Sequence, residues 1–360
     1  MENEVYQINN IILLFFLVVF VLSFLLYPII YHFFTHVGKS EESTANRWSQ
    51  QTKPTVGGIV FFLSFLITMM LAFIICDNTQ FFYSLAFGGF LLGAFFSFIT
   101  GLIDDTKRLL PYQKFILQSI IAFIVILTGN DIHFFNMYEL DAILTYIWFV
   151  GLMNSINFLD NMDGMATTLS IGIITAIITI SIFSPSYNPP LYLLLMMGVI
   201  AFLLAFLYFN WPPSKFYMGD NGSMLLGFLL AYLGVKFIWN NVSFHQLTPF
   251  QHLTMVWLIY LWPITDTALV TVERLSLGKK PWQGGKDHTN HHLVFLGLKE
   301  KHVLFTTMAI MLLINLIVFL FFQSNTWNIF LWLGILSFIG AFTLFFAIII
   351  FLINKPNNEM

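Results

Sequence analysis

Apolar runs dominate this chain. Stretches of about 20 residues, the length a helix needs to cross a hydrocarbon core of roughly 30 Å, recur from the N-terminus almost to the end. The runs predict helices near 9–35, 56–76, 81–103, 112–130, 141–158, 166–184, 190–209, 223–239, 249–272, 303–323 and 327–353. The expected fold is therefore all-α: a polytopic bundle of about eleven transmembrane helices forming one membrane domain over residues 1–360. Only helices keep every backbone polar group paired within their own segment in lipid. The first run is too long for a signal-peptide core and lacks a basic leader and a small-residue cleavage site, so it is read as a retained helix. Connections such as Asp77-Asn78-Thr79-Gln80 are short, and no internal repeat is visible.

Composition agrees with the pattern. Of 360 residues, 58% are hydrophobic and 9% charged, against roughly a quarter charged in an average soluble protein. The net charge of -3 singles out no partner, and no nucleic acid is expected. One cysteine, Cys76, excludes a disulfide framework, a thiolate metal cluster and a CxxC redox pair; it reads as a small buried hydrophobe.

Charge placement changes the picture more. With eleven spans, fourteen of the fifteen Lys and Arg residues fall on one face, from Lys39, Arg47 and Lys53 through Lys215 and Arg274 to Lys355. The exception is Lys236. The positive-inside rule then predicts an external N-terminus and a cytoplasmic C-terminus.

The same face collects the unusual polar residues: Lys53-Pro-Thr-Val-Gly-Gly58, Asp104-Asp105, Asn154 to Gly164, Asn210 to Ser223, and Asp266 through His292. Asp104 and Asp105 close a helix at the end where the dipole disfavours anions. Adjacent residues point about 100° apart, so the two carboxylates are expected to have different partners. Asn154, Asn157, Asp160 and Asp163 recur every three positions, and Gly164 suggests that the helix ends there and wraps around a ligand. Asp220 opens a helix, where it suits an N-cap or a site for phosphate and its cation. A hard cation such as Mg²⁺ takes one or two carboxylates and completes its shell with phosphate oxygens and waters. His288-Thr-Asn-His291-His292 lacks a helical HExxH pattern and reads better as a set of pyrophosphate donors than as a metal site.

In these motifs the chain resembles the polyprenyl-phosphate N-acetylhexosamine-1-phosphate transferases, which include the phospho-N-acetylmuramoyl-pentapeptide transferases. The resemblance covers roughly residues 10–350. It rests on Lys53-Pro-Thr-Val-Gly-Gly58, Gly101-Leu-Ile-Asp104-Asp105, Asn157-Phe-Leu-Asp160-Asn-Met-Asp163-Gly164 and Phe216-Tyr-Met-Gly-Asp220-Asn-Gly-Ser223, in that order. The histidine cluster matches in part, because the family's spacing is tighter than His288-x-x-His291-His292.

The resemblance implies transfer of a sugar phosphate from a UDP-N-acetylhexosamine to undecaprenyl phosphate, with release of UMP, as the first step of a cell-surface glycan. It implies Mg²⁺, with Mn²⁺ as an alternative, held by Asp220. It also implies Asp104, Asp105 and Asp163 as catalytic residues and Lys53, Asn157, Asp160, Asn210, His288, His291 and His292 as substrate-binding residues. Membrane lipids, and by analogy with the muramoyl branch a homodimer, are the implied partners. The site is expected on the cytoplasmic face of the inner (plasma) membrane. The continuation Leu293-Val-Phe-Leu-Gly-Leu after the histidines looks more like the branch that uses peptide-free donors such as UDP-N-acetylglucosamine. A muramoyl-pentapeptide donor is the alternative; from another class, a proton-coupled transporter competes. Transport sites, however, lie near the midplane between related repeats. Asp266 is expected to pair with Arg274 or a lysine, because an unpartnered charge inside a membrane costs at least about 2.5 kcal/mol.

Overall fold

A computed structural model describes residues 2–34, 53–76, 82–183, 190–241, 247–323 and 329–353. Lys39, Arg47, the Asp77–Gln80 connection and Lys355 lie outside the described residues. Every regular element described is helical. In chain order these are α1 Glu2–Phe33, α2 Gly57–Ile75, α3 Leu85–Lys107, α4 Pro111–Leu127, α5 Tyr138–Leu159, α6 Met165–Phe183 and α7 Pro190–Asn210. Then follow α8 Asp220–Gly234 with a π-helical turn Val235–Trp239, α9 Pro249–Ile259, α10 Leu261–Ser276, α11 Thr289–Phe295, α12 Glu300–Gln323 and α13 Ile329–Ile353.

Nine of these helices are long and apolar enough to cross a membrane, counting α8 together with its π turn, and α9 with α10 makes a tenth if the bent pair is one span. Helix α4 has 17 residues, about 26 Å at 1.5 Å per residue, slightly short of the hydrocarbon core. Every expected span is thus helical, but the ninth is not one straight rod. It breaks at Tyr260, where α9 and α10 meet at 89°. Pro263 tolerates this place because it falls among the first residues of α10, whose N–H groups lack an intrahelical acceptor in any case.

Helix α8 is the axis of the bundle. Beyond its polar first turn its residues are apolar on all sides and buried nearly throughout, as a segment without a polar face must be. It packs against α2, α3, α5 and α6, whereas α1, α12 and α13 expose large apolar side chains such as Leu14, Leu312 and Phe330 outward. The centre is drawn tight at Gly58 and Gly101. A Cβ on Gly58 would stand 2.1 Å from the nitrogen of Gly222, and one on Gly101 would stand 2.2 Å from the carbonyl oxygen of Asp220. Small residues of this kind let membrane helices approach to backbone contact. Both contacts are made to the first turn of α8.

Successive helices reverse direction, so α2, α4, α6 and α8 begin where α3, α5 and α7 end. Segments far apart in sequence are stitched there by main-chain bonds: Tyr217 N–H to Pro54 O at 3.0 Å, Gly57 N–H to Tyr217 O at 3.1 Å and Gly58 N–H to Met218 O at 2.9 Å. This end of the bundle holds the polar motifs.

Candidate active site

Three knots of polar side chains build the site. The first centres on Lys114, near the start of α4, a position Pro111 and the Gln113 cap on the Leu110 N–H help to fix. Its ammonium lies 2.9 Å from Asp104 Oδ2, 3.0 Å from Asp220 Oδ2 and 3.0 Å from Asn157 Oδ1. The Asn157 amide turns back to donate to Asp220 Oδ1 at 2.8 Å and to Ser223 Oγ at 2.9 Å. One turn further along, Gln118 and Asn154 exchange reciprocal amide bonds, so α4 and α5 are laced by a short polar ladder in apolar surroundings.

Asp105 does something different from its neighbour, as the 100° offset requires. Its two oxygens accept the backbone N–H groups of Asp220 and Asn221, each at 3.0 Å. Gly219, at φ +81°, is the N-cap of α8 and has no side chain to cap with, so a carboxylate from the last turn of α3 takes that role. The α3 C-terminal dipole, unfavourable for Asp105, is offset by the α8 N-terminal dipole it faces. Asp104 Oδ1 accepts the Leu109 N–H at 2.8 Å. Asp105→Ala is therefore expected to remove about 1–2 kcal/mol of stability by uncapping the first turn of α8 that carries Asp220. Thermal unfolding in detergent checks the number.

The second knot closes the loop after α5. The helix ends at Leu159, Asp160 is buried in the turn and Gly164 takes φ +75°, a left-handed conformation that suits glycine. Asp163 accepts Ser214 N–H and Ser214 Oγ–H, both at 2.8 Å, and lies 3.9 Å from Lys53 Nζ. Lys53 also donates to Ser214 Oγ at 3.2 Å and stands over the Tyr217 ring. Asn210 holds the Gly164 N–H at 2.8 Å through its oxygen and Phe216 O at 3.2 Å through its nitrogen. The turn expected at Gly164 is thus present, pinned from the far side by Asn210 and Ser214.

The histidines form the third knot, on the short helix α11. His288 precedes it as N-cap, and His291 and His292 are buried within it. Burial, together with the neighbouring His288, pushes the His291 imidazole down to about 3, so it is neutral at physiological pH. Asn290 bonds Asn161, which ties α11 to the loop that carries Asp160 and Asp163.

The expected Asp266–Arg274 pair is not formed. Eight residues separate the two on α10, about 12 Å along the axis. Asp266 instead holds His288 and Thr289, while Arg274 makes a two-pronged bond to Asp287 at 2.8 Å through each nitrogen and donates to Pro281 O. Burial alone would raise the Asp287 carboxyl, but the Arg274 guanidinium holds it below its ordinary value.

All eleven residues singled out from sequence stand at this end of the bundle. Lys114 is the site residue that the motifs do not include; in the sequence it is one of the fourteen basic residues on one face. The available signal was the Lys114/Gln118 pair, two polar residues four positions apart and so on one face of α4.

The donor set can be weighed against a divalent cation. Among the described residues no three His, Cys, Asp or Glu side chains form a protein-only metal cage. Two carboxylates, Asp104 and Asp220, converge on one cationic centre, the ammonium of Lys114. That is the donor set of an ion that keeps waters and takes the rest of its shell from substrate phosphates.

Fold and site together define a multi-pass α-helical membrane protein with a charge-dense, lysine-bridged acidic site at one end of its bundle. Residues 87–238 match the model of glycosyl transferase family 4. The match takes in Asp104, Asp105, Lys114, Asn157, Asp160, Asp163, Asn210 and Asp220, and leaves out Lys53 and the histidines. The chain is 28% identical over 285 residues to the probable undecaprenyl-phosphate N-acetylglucosaminyl 1-phosphate transferase of Bacillus subtilis, covering 76% of this chain and 75% of that protein. It is 28% identical over 301 residues to the phospho-N-acetylmuramoyl-pentapeptide-transferase of Staphylococcus saprophyticus, covering 77% and 87%. With that of Staphylococcus carnosus the identity is 32% over 215 residues, 54% of this chain and 65% of the relative. The resemblance carried by the motifs therefore holds: the chain is similar to glycosyl-1-phosphate transferases of both branches.

Proposed function

We propose that this protein transfers N-acetylglucosamine-1-phosphate from UDP-N-acetylglucosamine to undecaprenyl phosphate at the cytoplasmic face of the plasma membrane, with Mg²⁺, starting a cell-surface glycan. The observation that carries the reading is the Lys114 bridge between Asp104 and Asp220. A phosphate oxygen of the lipid attacks the sugar-bearing phosphorus, the bridging P–O bond breaks and UMP leaves. Two anions must meet, so the protein's task is positioning and charge neutralisation. When bound, Mg²⁺ supplies Lewis-acid neutralisation of the pyrophosphate, with Asp220 as principal ligand and Asp104 beside it.

Lys114 orients both carboxylates, and Asn157 fixes the rotamer of Asp220. Asp104 is the candidate to ready the lipid phosphate. That phosphate is largely dianionic at neutral pH, its second pKa being near 6, so Asp104 has little proton to remove and its larger role is electrostatic. Lys53, the Asp160–Gly164 loop, Asn210 and the histidines are assigned to the donor nucleotide and pyrophosphate.

The peptide-free donor is favoured by the stretch after the histidines and by the Bacillus subtilis relative. The staphylococcal relatives make the muramoyl-pentapeptide donor the second reading. The transport reading loses ground because Asp104, Asp105, Asp160, Asp163 and Asp220 gather at one end of the bundle and not at its middle.

The test is UMP release by purified protein in detergent, with undecaprenyl phosphate, Mg²⁺ and each UDP-sugar in turn. Release that requires both lipid and metal and is fastest with UDP-N-acetylglucosamine is the expected result. Release only with the muramoyl-pentapeptide donor would move the assignment to the other branch. Folded protein that releases UMP from none of the donors would end the transferase reading.

A further inference from the structure

Asp266 lies five residues beyond the Leu261 start of α10, is fully buried, and spends its carboxylate on α11 alone. Oδ2 meets His288 Nδ1 at 2.8 Å, while Oδ1 accepts both the backbone N–H and the Oγ–H of Thr289, each at 2.7 Å. Trp262, one turn earlier on α10, donates its indole N–H to Thr289 Oγ at 3.0 Å, so the Thr289 hydroxyl is left to point its proton at Asp266. A carboxylate can only accept, so the His288 nitrogen facing it carries a proton. The tautomer is thereby determined by the partner, and the other ring nitrogen, Nε2, is the one turned away from Asp266.

The ring is also held from its sides. Phe158, next to Asn157 on α5, stacks obliquely at 5.7 Å between centroids, and His291 stands edge-on at the same distance. Asp287 Oδ1 is 4.0 Å from Nε2, but that carboxylate is already bound by Arg274. The 89° break at Tyr260 is what carries Asp266 to this place.

We infer that Asp266 is a positioning residue of the transferase site: through His288 and Thr289 it sets the orientation and tautomer of the first histidine, so that His288 Nε2, left without a proton, is presented as a hydrogen-bond acceptor to a hydroxyl or N–H group of the donor substrate. The wider His288-x-x-His291-His292 spacing is accommodated in this way, with His288 outside the helix as its N-cap and clamped by α10, and the other two inside it. This inference rests on the reading that the histidines face the donor nucleotide sugar. It assigns Asp266 no contact with substrate.

Asp266→Asn separates orientation from bulk. The amide keeps the shape and an oxygen for Thr289, but offers His288 an N–H where an acceptor stood, which favours the opposite tautomer. Two measurements test the inference. In protein carrying ¹⁵N-labelled histidine, with the His288 signals assigned by their loss in His288→Gln, wild type is expected to show Nδ1 protonated, and Asp266→Asn to show the proton moved to Nε2. In turnover assays, Asp266→Asn is expected to lower kcat by about 10- to 100-fold, the range found when a partner that orients a functional imidazole is removed, with the KM for the lipid unchanged. Asp266→Asn placed on His288→Ala is expected to cost less than a further twofold.

An unprotonated Nδ1 on His288 in wild type would overturn the inference, and this needs only the assignment variant to fold. Additive effects in the double variant would also overturn it, because they would show Asp266 acting by a route other than His288. If the wild type turned over no donor, the functional reading would fall while the nitrogen signals still decided whether Asp266 sets the tautomer.

Discussion

Asp220→Ala abolishes lipid-dependent UMP release, a fall of more than about 10³-fold, while the protein folds almost as before. The fold survives because Lys114 keeps Asp104 as its partner at 2.9 Å, and Asn157 keeps Ser223. Two carboxylates share one ammonium in the wild type, so removing one relieves like-charge repulsion as well as removing an attraction. Thermal stability is expected to change by no more than about 1 kcal/mol. The activity has no such reserve. Asp220 stands at the first turn of α8 with both oxygens directed by Lys114 and Asn157, and among the described residues no third acid completes a metal-holding group with it and Asp104. Raising Mg²⁺ or Mn²⁺ should not restore turnover. Substantial activity in this variant at the Mg²⁺ level that suffices for the wild type would remove Asp220 from the proposed metal site.

Lys114→Met has the opposite stability signature. It leaves Asp104, Asp220 and the Asn157 oxygen facing one another without a cation, and breaking a buried ion pair from one side costs about 3–5 kcal/mol. The side chains here are between 12% and 32% exposed, so the low end, about 3 kcal/mol, is expected. Turnover should fall by about 10³-fold, since the two carboxylates lose their common orientation. Lys114→Arg should recover little, because a planar fork cannot place one nitrogen within 3.0 Å of three converging acceptors. Adding Asp220→Asn to Lys114→Met removes one of the two stranded charges and their mutual repulsion; it should restore part of the stability and none of the activity. Unfolding temperatures and UMP release on the four proteins separate these outcomes. Equal stability of wild type and Lys114→Met would show the bridge to be energetically idle.

The pair of variants also marks where sequence reading stopped. Asp104, Asp105, Asp160, Asp163 and Asp220 stood out because an acid near an apolar span is costly and therefore noticed. Lys114 did not, because a lysine at a helix start is what the charge rule for orientation leads one to expect. Its role became visible only when α4 was packed beside α5 and α8. Asp266 was noticed but given the wrong partner: Arg274 was the nearest basic residue along the same helix, and nothing local announced a break at Tyr260 that would aim the carboxylate at His288 instead. Asp105 was placed among the reacting groups, and the structure commits both its oxygens to the first turn of α8.

The solvent, the placement of the spans and the grouping of the polar motifs at one end were legible in the sequence; the break at Tyr260 and the short helix α11 were not. Each of the first three follows from one-dimensional facts: apolar run length against bilayer thickness, and the alternation of direction that successive spans impose. Tertiary structure alone decided which side chains meet. Lys53, Asp105, Lys114, Asn157 and Asp220 come from five separate segments, and their contacts depend on how closely helices approach at Gly58 and Gly101, a distance set by packing against α8 and invisible in any single segment.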